Sequence, residues 1–378
     1  MKSCLIIAGE KSGEEHAMTF LPSLKEGASD IHFYGVGGSQ MKESGVELLY
    51  ELKDFSTWGV TEAIRKVPFY YKAYRHLIDE VKKRDTKVAI LIDFQTFNLK
   101  LAMKLEKLGV KVLYYVAPQA WVWKEWRTKY LQQSVDTLFC ILPFEKKWFM
   151  DRGVSKAITI EHPLLKKTKP LLKDFTRRSV DFKNEEFNLL LLPGSRRFEI
   201  EFMLPEFIKA VRNLKKKYNF NLTIVKASSV DNELFSRFEG EFDKIYRDDQ
   251  LDEALKEADF SFATSGTVNL SLALYGVPSV ISYDLNLLNT FIAENIVKYK
   301  GFVSIPNLIL GHDVYPELLG DAFGHYNLER KAKELFENKE RYEFVINELK
   351  KVKELTEGED IEISQYLIDK LKQAYPEG

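Results

Sequence analysis

Short runs that are apolar on both faces alternate with charged segments of helical period, and this alternation limits the fold more than any single residue does. The runs fall at 4–7, 31–34, 88–92, 110–116 and 137–142, and again at 188–192, 222–226, 260–263 and 279–282. A strand without a polar face must be covered on both sides, and the intervening helical stretches supply the cover. The reading is therefore an α/β chain built on parallel sheets. At 378 residues the chain exceeds what one core usually fills, which predicts two doubly wound domains facing across a cleft. Their bounds read as 1–164 and 187–350, joined by a linker at 165–186, a stretch holding Pro170 and a charge run without periodicity. A helical tail at 351–378 is left free to pack back on the first domain.

Composition closes off several classes. With 45% hydrophobic and 29% charged residues and a formal net charge of −1, neither disorder nor nucleic acid binding is expected. Cys4 and Cys140 each lie in an apolar run and read as small buried hydrophobes of a reducing compartment. No metal site is expected, because the cysteines cannot build one and the six histidines show no acidic partners at ligand spacing. The apolar start is shorter than a signal-peptide core, and no run approaches the ~20 residues that span a bilayer. The expected address is cytoplasmic, with any membrane contact peripheral.

Two strand-to-helix turns carry chemistry. At 189–199 an apolar strand breaks at Pro193-Gly194-Ser195 and opens a helix with Arg196 at its mouth. A helix start offers unpaired N–H groups and the positive end of a dipole, and a guanidinium adds a fork matched to phosphate oxygens. Ser265-Gly266-Thr267 repeats the arrangement after the run at 260–263. Two such turns in one half suggest a site for a nucleotide diphosphate. In the other half, Asp93 ends the run at 88–92, where a carboxylate can serve as a base, although a helix cap or turn aspartate is the plain alternative.

A set of short strings is shared with one family. They are Ala8-Gly9-Glu10-Lys11-Ser12-Gly13-Glu14; Gly35-Val36-Gly37-Gly38 with Met41 and Gly45; Ile92-Asp93-Phe94; Phe97-Asn98; the stretch 118–123; and Leu142-Pro143-Phe144-Glu145. They continue with His162-Pro163, Leu191-Leu192-Pro193-Gly194-Ser195-Arg196 with Glu199, Ser265-Gly266-Thr267, and Val303-Ser304-Ile305-Pro306-Asn307-Leu308. In this order and spacing the chain resembles the lipid-A-disaccharide synthases. The resemblance implies two Rossmann-like domains of the GT-B type. It also implies an inverting glycosyltransferase that joins UDP-2,3-diacylglucosamine to the 6-hydroxyl of 2,3-diacylglucosamine 1-phosphate and releases UDP. The product is a β-1,6-linked disaccharide of lipid A biosynthesis, made at the cytoplasmic face of the inner membrane. UDP-sugar is a substrate, and no cofactor is implied. A homodimer is left open.

Carried onto this chain, the resemblance makes Asp93, Glu10 and Arg196 catalytic. Gly194, Ser195, Arg196, Ser265, Gly266, Thr267, Ser271 and Asn307 then face the nucleotide and its diphosphate. Ser12, Trp58, Val60, Phe69, Tyr70, Trp121, Trp123 and His162 are expected to face the acceptor, its acyl chains or the membrane. Gly9 and Gly13 would let backbone approach a sugar, and Ser12 with Glu15 reads as a capping box. Three departures stand out. Thr96 replaces a family aspartate, leaving Asp93 without a carboxylate neighbour; Ser271 replaces the glutamate that bonds ribose; and Asp284 stands where a basic residue is usual. Trp121 either lines the acceptor or holds its loop by packing.

Between 58 and 84, Trp58, Val60, Phe69, Tyr70, Tyr71 and Tyr74 mix with Arg65, Lys66, Lys72, Arg75, Lys82, Lys83 and Arg84. Aromatic anchors among cations suit an anionic lipid surface, while an aromatic stripe at helical spacing equally suits a core. Two other functions fit the sequence: a UDP-N-acetylglucosamine 2-epimerase or another B-type sugar-nucleotide enzyme, and an inactive nucleotide- or lipid-binding paralogue weakened by Ser271.

Overall fold

The computed structural model describes residues 2–55, 65–122, 124–264, 266–283 and 301–376. Its contacts divide into two units, one of Met1–Lys167 with Thr356–Gly378 and the other Thr168–Leu355.

The first unit carries a sheet of seven parallel strands: β1 (Ser3–Ala8), β2 (His32–Gly37), β3 (Glu47–Glu51), β4 (Val88–Ile92), β5 (Lys111–Tyr115), β6 (Thr137–Cys140) and β7 (Ala157–Thr159). Their spatial order is β3-β2-β1-β4-β5-β6-β7. Every side chain of β1, β4 and β6 is buried, as strands covered on both faces require. In the second unit, β8 (Phe187–Leu192), β9 (Phe220–Lys226), β10 (Lys244–Arg247), β11 (Phe260–Thr264), β12 (Ser279–Tyr283) and β13 (Glu317–Leu319) lie in the order β10-β9-β8-β11-β12-β13. Both orders reverse direction beside the first strand of the unit. At such a switch point, adjacent crossovers leave in opposite directions and open a crevice past the strand ends.

The strands β3, β7, β10 and β13 give no apolar run in the sequence. Each is a short sheet edge or lies next to polar surface, as the half-exposed β3 and the three exposed residues of β10 illustrate. An edge strand buries too little side chain to need an apolar pattern.

Two expectations about the connections change. The stretch 165–186 is docked rather than a free linker. Arg177 donates to the carbonyls of Leu255, Lys256, Ala258 and Tyr275, Arg178 pairs with Asp259, and Phe182 stacks on Phe336 with centroids 4.4 Å apart. Five donors on a planar guanidinium let one arginine satisfy several buried carbonyls, which explains how a charged stretch becomes part of a core. The helix Lys339–Leu355 belongs to the second unit, so only its successor returns. That successor, Ile363–Ala374, buries Ile363, Leu367, Ile368 and Leu371 in the first unit's core beside Phe20 and Leu24. The Tyr375 hydroxyl completes the join by donating to the Ser3 carbonyl at 2.6 Å and accepting from the Lys87 N–H at 2.8 Å.

Candidate active site

The switch point of the first sheet holds two carboxylates. Ala8 and Ile92 are register partners at the ends of β1 and β4, so the residues just beyond them, Glu10 and Asp93, come into electrostatic range. Thr96 therefore does not leave Asp93 isolated: Glu10 is its carboxylate neighbour. Burial, then the charge of Glu10, pushes the Asp93 carboxyl up to about 6, although an N–H from Phe94 opposes the rise. Burial also raises the Glu10 carboxyl above its ordinary value.

Asp93 is not a helix cap. The cap of the helix Gln95–Glu106 is Phe94, and no side chain bonds its first turn as a cap. Asp93 and Phe94 instead adopt consecutive left-handed conformations, with φ of 46° and 45°. For non-glycine residues this costs about 1–2 kcal/mol each, so the surroundings must hold the elbow. Its main chain is bonded throughout: the Asp93 N–H donates to Tyr115, and the Asp93 carbonyl accepts from Asn98 Nδ2 and the Tyr114 hydroxyl, all at 2.9 Å. The Phe94 ring covers Gly9 so closely that any Cβ there would strike it. Gly9 thus makes room for Phe94, not for a sugar backbone contact, and Gly13 lies inside a helix against Ala8.

Phe94 also joins an aromatic cluster with Phe55, Phe69, Tyr70 and Phe97, with ring centroids 5.4–6.2 Å apart. Phe69 and Tyr70 are half-buried in it, and the Tyr70 hydroxyl donates to the Phe55 carbonyl at 2.7 Å. Those two expected lipid-facing residues are packed against the core, while Val67 and Tyr71 on the same helix, Val67–Lys83, are about 60% exposed. The exposed Ser12 sits within the helix Lys11–Met18, whose cap is Glu10, so the Ser12–Glu15 capping box does not form.

Other expected residues serve the scaffold. Trp121 holds its loop: its indole N–H donates to Glu145 at 3.1 Å and its ring meets Phe144 edge-on. The Glu145 carboxylate also takes the N–H groups of Ile141 and Leu142, and burial pushes its carboxyl up to about 7. His162 is 3% exposed, accepts the Leu164 N–H at Nδ1, and is held neutral by burial that lowers it to about 3. It bonds the first turn of the helix Pro163–Thr168, so its Nδ1 is spent on the chain.

In the second unit the two expected turns stand side by side at the switch point, because Leu192 of β8 and Ala263 of β11 are register partners. Gly194 has a φ of 113°, and Arg196 caps the helix Arg197–Leu214. Glu199 closes this turn: one carboxylate oxygen accepts the N–H groups of Ser195 and Arg196 at 3.1 and 3.2 Å, and the other pairs with the Arg196 guanidinium at 3.2 Å. The arginine side chain remains 63% exposed. Gly266, with a φ of 138°, and Thr267 are exposed at the start of the helix Val268–Leu274. Tyr283, at the end of β12, feels both Arg196 and Glu199, and burial pushes its hydroxyl up to about 12. Neither Tyr283 nor buried Arg127, described below, carries a local sequence signal, since their places depend on which strands and helices adjoin.

Two nucleotide-facing expectations do not fit. Asn307 is fully buried: its amide donates to the Tyr315 carbonyl and Glu317 and accepts from the N–H groups of Val314 and Tyr315. All its capacity is spent on the chain, so it has none for a phosphate. Ser271 is 5% exposed within its helix, which leaves little surface for a ribose. Trp58, Val60, Trp123, Ser265 and Asp284 lie outside the described residues. Among the described residues no group of three or more His, Cys, Asp or Glu side chains could hold a metal, and no helix is long and apolar enough to cross a membrane.

Two doubly wound sheets, one ending in a carboxylate pair and the other in two glycine turns at helix starts, make the two-domain α/β fold of B-type glycosyltransferases and sugar-nucleotide epimerases. Solved structures share it: a Staphylococcus aureus MnaA co-structure with UDP has a TM-score of 0.63 at 13% identity, covering 99% of this chain and 97% of its own. Acinetobacter baumannii MurG has a TM-score of 0.60 at 13% identity, covering 99% and 100%. At such identity these show the fold alone.

The chain belongs to the lipid-A-disaccharide synthetase family, whose model matches residues 4–371. A lipid-A-disaccharide synthase of Myxococcus xanthus is 34% identical over 335 residues, 88% of this chain and 86% of its own. That of Francisella tularensis subsp. novicida is 30% identical over 377 residues, 97% and 99%. The protein is accordingly a glycosyltransferase of lipid A disaccharide synthesis.

Proposed function

We propose that the enzyme joins UDP-2,3-diacylglucosamine to the 6-hydroxyl of 2,3-diacylglucosamine 1-phosphate, with inversion, giving the β-1,6 disaccharide 1-phosphate and UDP. The carboxylate pair at the first switch point carries this reading. Displacement with inversion needs the acceptor hydroxyl deprotonated as it attacks the anomeric carbon, and Asp93 takes that proton. A base with a carboxyl near 6 is a stronger acceptor than an ordinary aspartate and is still ionised at neutral pH. Glu10 keeps the site negative and orients the hydroxyl. The UDP diphosphate binds beside Gly194, Ser195 and Arg196 with Gly266 and Thr267, where the exposed Arg196 guanidinium, released from Glu199, meets the growing charge and main-chain N–H groups of the second turn join it. The reading uses side chains and backbone donors on the diphosphate and calls on no cofactor.

Incubation with both acylated substrates and mass detection of disaccharide and UDP tests the reaction; formation of the C2 epimer alone would overturn it. The same assay reads the base. Because the Asp93 carboxyl is raised, its working form is lost on acidification at higher pH than for an ordinary aspartate. Turnover should rise with pH through about 6 and level off above it. A profile flat between pH 5 and 8 would remove Asp93 from the role.

We further propose that the enzyme works peripherally at the cytoplasmic face of the inner membrane. The exposed Val67, Tyr71, Lys72 and Arg75 of one helix support this, combining apolar anchors with cations. Replacing Val67 and Tyr71 by serine should lower co-sedimentation with phosphatidylglycerol vesicles several-fold; unchanged binding would count against this surface.

A further inference from the structure

We infer that Arg127 is a positioning residue for the base, holding the Asp93 elbow from behind; this rests on Asp93 being that base. Arg127 is 2% exposed, the largest of the fully buried side chains among the described residues. It occupies the first position of the helix Arg127–Ser134, and its guanidinium reaches the first turn of another helix, Gln95–Glu106. There Nη1 donates to Gln95 Oε1 at 2.5 Å and Nη2 to Thr96 Oγ1 at 3.2 Å.

A cation at the N-terminal end of a helix opposes the helix dipole, and here it meets two such ends at once. Helix stability therefore does not explain its position. What the contact does provide is fixity: Gln95 and Thr96 follow directly on Asp93 and Phe94, whose left-handed backbone needs outside support. Asn98 and Tyr114 grip the Asp93 carbonyl on one side of the elbow, and Arg127 grips the two residues on the other. The direction of the Asp93 carboxylate, and its shelter from water, depend on both grips.

The test removes the grip while keeping the arginine, and Arg127→Met, which takes the buried charge away as well, separates loss of the grip from the cost of a guanidinium deprived of these acceptors. Gln95 is half-buried and Thr96 exposed, so Gln95→Leu combined with Thr96→Val leaves the core intact. The double variant should lose about 10- to 100-fold in kcat with both KM values held within about twofold, as expected for a misaimed catalytic group. The acid limb of its kcat–pH profile should also move down by about one unit, because a loosened elbow lets water reach Asp93. Arg127→Met should act the same way, and Arg127→Lys should recover part of the loss. Wild-type kcat and an unmoved limb in the double variant would overturn the inference. So would a loss of kcat with an unmoved limb and a lowered Tm, which marks a merely structural contact. Asp93→Asn separates the two claims: full turnover there defeats the base itself, whereas a dead Asp93→Asn beside a fully active double variant defeats only the positioning role.

Discussion

Asp93→Asn is expected to cut turnover by about 10²- to 10⁴-fold while leaving UDP affinity unchanged. The substitution is informative because asparagine tolerates the left-handed conformation at least as well as aspartate, so the elbow at φ 46° survives it. The bonds of the Asp93 main chain and the Arg127 grip on Gln95 and Thr96 are untouched, and the asparagine amide oxygen can still accept the Phe94 N–H. What is lost is the proton acceptor. Stability should move the other way. The folded-state carboxyl, near 6, lies above the ordinary 3.8, so the folded protein binds the proton more tightly and loses stability as pH rises from about 4 to about 6. An uncharged amide escapes that cost, and the variant should match or exceed the parent in urea at pH 7. Rapid turnover by Asp93→Asn, or a marked loss of its stability, would show that the aspartate serves the chain and not the reaction.

Arg196→Ala should lower kcat by about 10²- to 10³-fold, the usual cost of losing one donor to developing charge, and should weaken UDP binding as well. The arginine is paired with Glu199, so the comparison of magnitudes matters. An exposed pair three residues apart on one helix contributes ~0.5 kcal/mol, whereas a guanidinium on a diphosphate contributes several times that. The guanidinium, 63% exposed, is therefore cheaply released to a ligand. Isothermal titration with UDP beside steady-state kinetics checks both effects. If Arg196→Ala bound UDP like the parent and turned over normally, the turn after β8 would not be the diphosphate site. The contrast between the variants is itself a prediction: Asp93→Asn separates turnover from binding, and Arg196→Ala does not.

Most of the architecture was legible in the chain order. Runs such as 88–92 and 188–192 have no polar face, and burial on both sides is the only way to satisfy them, so strands and their parallel arrangement follow from local pattern. Asp93 and Arg196 drew attention because each stands just past such a run, where a sheet of this kind opens its crevice, whereas Glu10 was indicated by the family resemblance.

Contacts between segments distant in sequence were not legible. Thr96 suggested a solitary aspartate, yet the adjacency of β1 and β4 sets Glu10 beside Asp93 and raises its carboxyl. Asn307 and His162 stand in motifs that invite a functional role, but burial turns both toward the main chain. Arg127 has no local signature, because its partners, Gln95 and Thr96, lie in a different helix. Local pattern determined which segments are strands and where the turns fall, since that depends on side chains a few residues apart. Only the tertiary structure decided which side chains meet and how far each is withdrawn from water, since strand order and helix packing set those.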